Sequence, residues 1–255
     1  MRFLLYLCAL LAIAEQARAD EAWVDFYNSA PFHYRSEFQL DGRQDLFREI
    51  DLLKSDVELI LDLKGSDNAI QLNLFRTNTS YWRYVSQRIP EGMTRRALYV
   101  KGPDMGRIYV QRSSKLETDV RHETTHALLH NMVPYLPMWL DEGIAEYFEV
   151  PRQKRAFGNP HLRSLRWAIQ FGWRPSLTEL EKSRDLAEMK RRDYRNSWAW
   201  VHFLLHESPE SRKVLIDYLN DIKFGNPPGP FSDRVRNQIP NVEARMLAHF
   251  KNWMK

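Results

Sequence analysis

The sequence has almost no cysteine, because Cys8 is the only one among 255 residues. Cys8 lies in an apolar stretch at the start of the chain, so disulfides are excluded from the remainder. The fold must therefore be stable through its hydrophobic core alone. The length is sufficient for one domain of two lobes.

A strong charge of either sign is also missing. The chain has 37 Lys and Arg residues against 33 Asp and Glu residues, a formal net charge of +4. This balance indicates no particular partner, and the short basic run Lys190–Arg192 is typical of a solvated helix end. We therefore expect no nucleic-acid partner. The sequence gives no indication of the oligomeric state.

Long hydrophobic runs are absent after the amino terminus, as are internal repeats and low-complexity tracts. The one apolar run, Phe3–Ala14, is too short to remain as an anchor. Arg2 precedes it, and the small-x-small sequence Ala17-Arg18-Ala19 follows it, which predicts a signal peptide over Met1–Ala19. We expect an exported protein, periplasmic or extracellular, with no stable membrane insertion after cleavage. Cys8 lies inside the run, which argues against a lipoprotein.

The central motif of the chain is His-Glu-x-x-His, formed by His122, Glu123 and His126. Residues four apart share one face of a helix, so both imidazoles can bind one metal ion, with the glutamate beside them as a base. A capping box at Ser114–Glu117 predicts the start of this helix, and Pro134 forces its end. The two histidines are thus expected in mid-helix, where they are rigidly held.

A catalytic zinc requires three protein ligands and one open position, so a third ligand is expected nearby. Pro137 is well placed to begin a second helix over Met138–Glu149, and Glu142 lies in its early turns. Glu146 follows four residues later on the same face. Its carboxylate is predicted to accept a hydrogen bond from a ligand histidine and to fix its tautomer.

Two segments carry a family resemblance: H-E-T-T-H-A-L-L and P-M-W-L-D-E-G-I-A-E-Y-F-E. They resemble the gluzincin type of metallopeptidase, and more narrowly a group of bacterial peptidase-MA-like domains in which H-E-x-x-H is followed by W-L-x-E-G-x-A-E-Y. The resemblance implies that His122, His126 and Glu142 bind one zinc ion per chain and that Glu123 is the general base. It also implies a zincin-like fold and a peptide or protein substrate.

Two other ligand sets are excluded. A metzincin needs Gly and His at the positions held by Leu129 and Met132. His130 lies about two turns from His122, too far for both to share one ion with His126. We therefore expect His130 on the helix surface or in the core.

A later stretch beginning at Tyr194, Y-R-N-S-W-A-W-V-H-F-L, is similar to the Y-x-x-A/S-W-x-x-V-x-F-L pattern of the same group. Gluzincins commonly use a Tyr or His of their helical lobe to stabilise the oxyanion, so the resemblance makes Tyr194 and His202 candidates for that role. Aromatic residues and histidines at helical spacing are also typical of a core. His202 and His206 are four residues apart, but no carboxylate is poised to complete a second metal site.

Strand patterns occur only in the first half of the chain, and helices dominate after Pro151, which predicts an α+β fold. We expect a single domain over residues 20–255. Residues 20–131 are predicted to form a mixed lobe with a small β-sheet and the central metal-binding helix, and residues 132–255 a helical lobe. Strands are predicted at Phe32–Leu40, Ala69–Phe75, Ala97–Lys101 and Arg107–Gln111, and helices at Asp45–Leu63, Ser80–Ser86, His161–Phe171, Tyr194–Glu207, Ser211–Ile222 and Val242–Trp253.

The hairpin Ala97–Lys101 and Arg107–Gln111 runs almost directly into the metal-binding helix. In zincins a sheet edge beside that helix binds an extended substrate as an added strand, which makes Arg107–Gln111 a candidate for the edge. An ordinary core hairpin is the alternative.

The expected function is zinc-dependent hydrolysis of peptide bonds, with Glu123 as general base. One alternative is a non-catalytic zincin-like binding module of the cell envelope. It is less favoured, because a structural zinc has four protein ligands and does not need Glu123. Another alternative is a zinc hydrolase that acts on a non-peptide amide or ester, which would use the same site.

Overall fold

The computed structural model describes residues 23–89, 95–183 and 185–253. The predicted signal peptide lies outside these residues. The described chain forms two compact units: residues 23–48 with 68–116, and residues 49–67 with 117–253. The helix that carries His122 and His126 therefore belongs to the second unit, and the division after Leu116 differs from the one predicted near residue 131. Arg121 illustrates the reason, because its buried guanidinium donates to Glu49 and to the Glu149 carbonyl, both in the second unit.

The first unit contains a mixed five-stranded sheet, which confirms the α+β class. Its strand order is β1-β2-β3-β5-β4. Neighbouring strands are antiparallel in β1/β2 and β4/β5 and parallel in β2/β3 and β3/β5. The strands are β1 Asp25–Ser29, β2 Phe32–Ser36, β3 Ile70–Phe75, β4 Ala97–Lys101 and β5 Gly106–Gln111.

The predicted hairpin is confirmed as β4 and β5, but its assignment as the substrate edge is wrong. Residues Arg107–Gln111 belong to β5, which pairs with β3 on one side and β4 on the other. Ile108 and Val110 are completely buried and Tyr109 nearly so, a continuous apolar run typical of an inner strand. The edges of this sheet are β1 and β4.

Helix α1 spans Gln44–Leu61, and α2 spans Asn78–Arg88. Thr77 begins α2 with a capping box shared with Ser80. The α2 residues Tyr81 and Val85 pack against sheet residues in a core cluster of Trp23, Phe75, Tyr81, Val85, Leu98 and Tyr109. Strand β1 escaped prediction because its aromatic residues Phe26 and Tyr27 are adjacent and both exposed, so no alternation marks it.

The second unit is helical in its described part. After α1 its helices are α3 Leu116–Met132, α4 Met138–Phe148, α5 His161–Gln170, α6 Leu177–Leu180, α7 Arg191–His206, α8 Pro209–Lys223, α9 Phe231–Gln238 and α10 Val242–Trp253. Single 3₁₀ turns occur at Arg152–Lys154 and Leu186–Glu188. Helix α9 was not predicted from the sequence. Within the described ranges, each helix is too short or too polar to cross a lipid bilayer.

Close packing of α4 on α7 fixes the helix that carries Glu142. Gly143 lies so near to α7 that an added Cβ would be 2.7 Å from the Ser197 carbonyl oxygen. Only glycine fits this contact without a shift of backbone. The glycine next to Glu142 therefore lets the two helices approach.

Candidate metal centre

Helices α3 and α4 bring the three predicted ligands together. The Nε2 atoms of His122 and His126 are 3.2 Å apart. The Glu142 carboxylate lies 3.5 Å from Nε2 of His122 and 3.8 Å from Nε2 of His126. Tetrahedral zinc with bonds of about 2.0–2.1 Å needs ligand atoms about 3.3 Å apart. The donor set and its spacing therefore fit a zinc ion.

Two further carboxylates orient the histidine rings. Asp141 accepts a hydrogen bond of 2.8 Å from Nδ1 of His126, and Glu149 lies 3.2 Å from Nδ1 of His122. A carboxylate on Nδ1 places the proton there and leaves the Nε2 lone pair free for a metal. Asp141 also contacts Nε2 of His130 at 3.0 Å, which gives His130 a role at the outer side of the site.

Glu146 does not make the contact predicted for it. Its carboxylate lies 2.8 Å from Nε2 of His161, while Glu149 contacts Nδ1 of His122. The reason is the direction of the helices: His126 meets Asp141 and His122 meets Glu149, so α3 and α4 run in opposite senses. The residue that contacts Nδ1 of His122 is therefore Glu149, which lies two turns after Glu142.

A second group of potential donors adjoins the first. His122, Glu146 and Glu149 have donor atoms within 4.8 Å of one another. This group shares His122 with the three-ligand set but uses the Nδ1 side of its ring, where Glu149 lies. His122 is thus the residue that links the two groups.

Glu123 is buried, with 9% of its surface exposed. It is not one of the three donors that converge, yet its negative charge raises the pKa of the neighbouring His122. A carboxylate beside a ligand set, and outside it, is the arrangement that a general base requires.

The electrostatics of the site favour positive charge. Burial alone lowers the pKa of His122, but hydrogen bonds to Glu142 and Glu149 raise it well above its ordinary range. Burial opposes the charge of His126 in the same way, and Asp141 and Glu142 raise its pKa to about 9. Burial raises the pKa of Asp141, but His126 and His130 bring it well below its usual range. A divalent cation is stabilised by the same surplus of carboxylates.

The outer carboxylates differ from each other. Burial raises the pKa of Glu149 above its usual value. Burial also opposes ionisation of Glu146, but the hydrogen bond from His161 lowers its pKa. No motif surrounds His161 in the sequence, so no role was predicted for it. His161 begins α5, the helix after α4, and it meets Glu146 through the packing of the folded unit.

The structure places the two oxyanion candidates differently. Tyr194 lies half-buried in the first turn of α7, and its role stays a prediction. His202 is completely buried, and its Nε2 donates to the Ala156 carbonyl at 2.9 Å. Its Nδ1 lies 3.2 Å from Nε2 of His249. Both ring nitrogens are engaged in this core contact, which leaves neither for an oxyanion.

His202, His206 and His249 form a histidine cluster. The ring of His202 lies 4.6 Å from that of His206 and 5.3 Å from that of His249, measured between centroids. Burial lowers the pKa of His202 to about 3, and those of His206 and His249 to about 4 each. Neutral His202 carries its proton on Nε2, so its Nδ1 accepts a hydrogen bond from His249.

This cluster predicts a loss of stability in acid. Each folded pKa lies below the ordinary value of about 6.5, so the unfolded state binds protons first as the pH falls. Above about pH 6.5 these groups should not affect the free energy of unfolding. Between about pH 6.5 and 4 it should decrease as the pH falls, with a slope that corresponds to the uptake of up to three protons on unfolding. Urea midpoints measured across that range test this slope. His249→Gln should reduce this slope by about one proton, because the pKa of His249 is lowered to about 4 in the folded protein.

A scan of the chain against protein-family models found no match, and a search of curated proteins found none. The resemblance carried by the two motifs therefore stays a resemblance. The chemistry of the site and its geometry are the basis for inferring function.

Proposed function

We propose that this protein is an exported, zinc-dependent metallopeptidase of the gluzincin type. The observation that carries the proposal is the convergence of His122, His126 and Glu142 at zinc spacing, with Glu123 next to them on α3. A bound zinc ion lowers the pKa of water from about 15.7 to about 7 and polarises a carbonyl. The zincin-like layout and the signal peptide belong to the same proposal.

The side chains of the site have different roles in the proposed hydrolysis. His122, His126 and Glu142 would hold the metal, since a catalytic zinc has three protein ligands. The Glu123 carboxylate takes a proton from the attacking water and passes it to the nitrogen of the leaving amine. Asp141 and Glu149 hold the two imidazoles in the tautomer that presents Nε2.

A non-catalytic module is the main competing function. A structural zinc is enclosed by four protein ligands. Each of the two donor groups found in the described part of the chain has three members. A structural site also has no use for a buried Glu123. Hydrolysis of a non-peptide amide or ester needs the same side chains and is separated from peptidase action by substrate alone.

Removal and return of metal test the proposal. The chain from Asp20 to Lys255 should cleave a mixed peptide library, lose cleavage after dialysis against a chelator, and regain it on addition of zinc. Circular dichroism before and after dialysis checks that the fold is retained. Cleavage by the zinc-free protein would contradict the proposal. Zinc binding without cleavage of peptides or esters would favour the binding module.

A further inference from the structure

The far end of α5 carries an exposed aromatic pair. Trp167 is 58% exposed and Phe171 is 81% exposed, and their rings stack with centroids 6.0 Å apart. Leu165, on the opposite face of the helix, is completely buried and packs inward. The turn at Gly172 has positive φ, and an added Cβ there would meet nothing within 4 Å. The aromatic pair therefore protrudes into solvent.

This aromatic end lies in the most basic part of the chain. The segment from Val150 to Thr178 contains six Arg and Lys residues and no Asp or Glu, and two of the six, Arg152 and Arg155, pair with Asp56 from outside the segment. Arg163 lies four residues before Trp167 on the same helix face, and within the described ranges no charged side chain pairs with it. Among the described residues, the contacts of Arg174 are those with the backbone carbonyls of Gly172 and Trp173. Their positive charge is thus directed to solvent beside the aromatic rings.

We propose that α5 and the turn after it bind the surface of an anionic phospholipid membrane. Trp and Phe rings partition into the headgroup region, and flanking Arg residues are attracted by anionic lipids. The positive charge of Arg163 and Arg174 is complementary to such a surface, and a protruding helix end can enter it without a matching groove. This surface is separate from the metal centre, so the inference stands independently of peptidase function.

Vesicle binding tests the proposal. The chain from Asp20 to Lys255 should sediment with phosphatidylglycerol vesicles at low salt and much less with phosphatidylcholine vesicles. Raising the salt to about 0.5 M should weaken binding, since exposed charges are then screened. Trp167→Ser combined with Phe171→Ser should reduce the partition coefficient at least tenfold. Arg163→Gln combined with Arg174→Gln should reduce it about 25-fold, at about fivefold for each arginine.

Phe224→Ser is the matched control, because Phe224 is 72% exposed but lies after α8, outside this surface. It should bind vesicles as the native chain does. The proposal is overturned if the native chain does not bind anionic vesicles at low salt, or if both double variants bind them normally. It is also overturned if binding is equal on neutral vesicles. If the native chain binds DNA as tightly as anionic vesicles, and the Trp167→Ser, Phe171→Ser double variant binds DNA equally well, the arginines belong to a nucleic-acid partner instead.

Discussion

Glu123→Gln is expected to abolish peptide hydrolysis while zinc content stays at the native level. Gln has nearly the same shape as Glu but cannot accept the proton of the attacking water. A general base contributes about 10²–10⁴ in rate, so kcat/KM should fall at least a hundredfold. Zinc should remain because the three donors that converge are His122, His126 and Glu142. The measurements are kcat/KM on the best-cleaved peptide and zinc per chain by mass spectrometry.

Glu117→Gln is the matched control, since Glu117 is exposed and lies in the first turn of the same helix. It should keep both activity and zinc. If Glu123→Gln keeps activity within about threefold of native, the carboxylate is not the general base. If the variant instead loses zinc, Glu123 is a ligand.

The loss of zinc affinity should be largest when a donor side chain is replaced and smaller when a residue behind a donor is replaced. Glu142→Gln replaces a donor, and we expect the affinity to fall more than a hundredfold. Asp141→Asn keeps the three donors but weakens the hydrogen bond to Nδ1 of His126. Loss of such an outer partner costs about 10–100-fold in affinity. Competition with a chromogenic chelator measures both constants.

Asp217→Asn provides the control for the same chemical change on the exposed part of α8, where Asp217 pairs with Lys213. It should bind zinc as the native chain does. The outcome that contradicts the ligand set is native affinity in Glu142→Gln together with strong loss in Glu146→Gln or Glu149→Gln. That result would transfer the metal to the second donor group.

The pairing of His122 and His126 could be predicted because it depends on local geometry, whereas the closeness of Glu142 was expected from the resemblance. His122 and His126 share a helix face by their spacing, and α4 begins at Met138 because Pro137 precedes it. The positions of Glu146 and Glu149 could not be predicted in this way. They depend on the opposite directions of α3 and α4, which no spacing within one helix encodes. By helical spacing alone, Glu149 and Glu146 both share a face with Glu142, at seven and four residues after it, so the spacing does not choose between them.

The sheet shows the same limit. The hairpin of β4 and β5 follows from a short turn between two apolar strands, and the sequence located it well. The parallel pairing of β5 with β3 joins residues far apart in the chain, such as Ile70 and Gly106. Strand order is therefore a tertiary property, and the edge assignment failed for this reason. His161 illustrates the point in the site, since its partner Glu146 comes from another helix.

The central claim is that His122, His126 and Glu142 bind one zinc ion, and anomalous diffraction at the zinc edge tests it most directly. Crystals of the chain grown with zinc should show one strong peak, about 2.0–2.2 Å from Nε2 of both histidines and from a Glu142 oxygen. A peak between Glu146 and Glu149 on the Nδ1 side of His122 would contradict the claim. So would a zinc-saturated crystal with no peak at these residues.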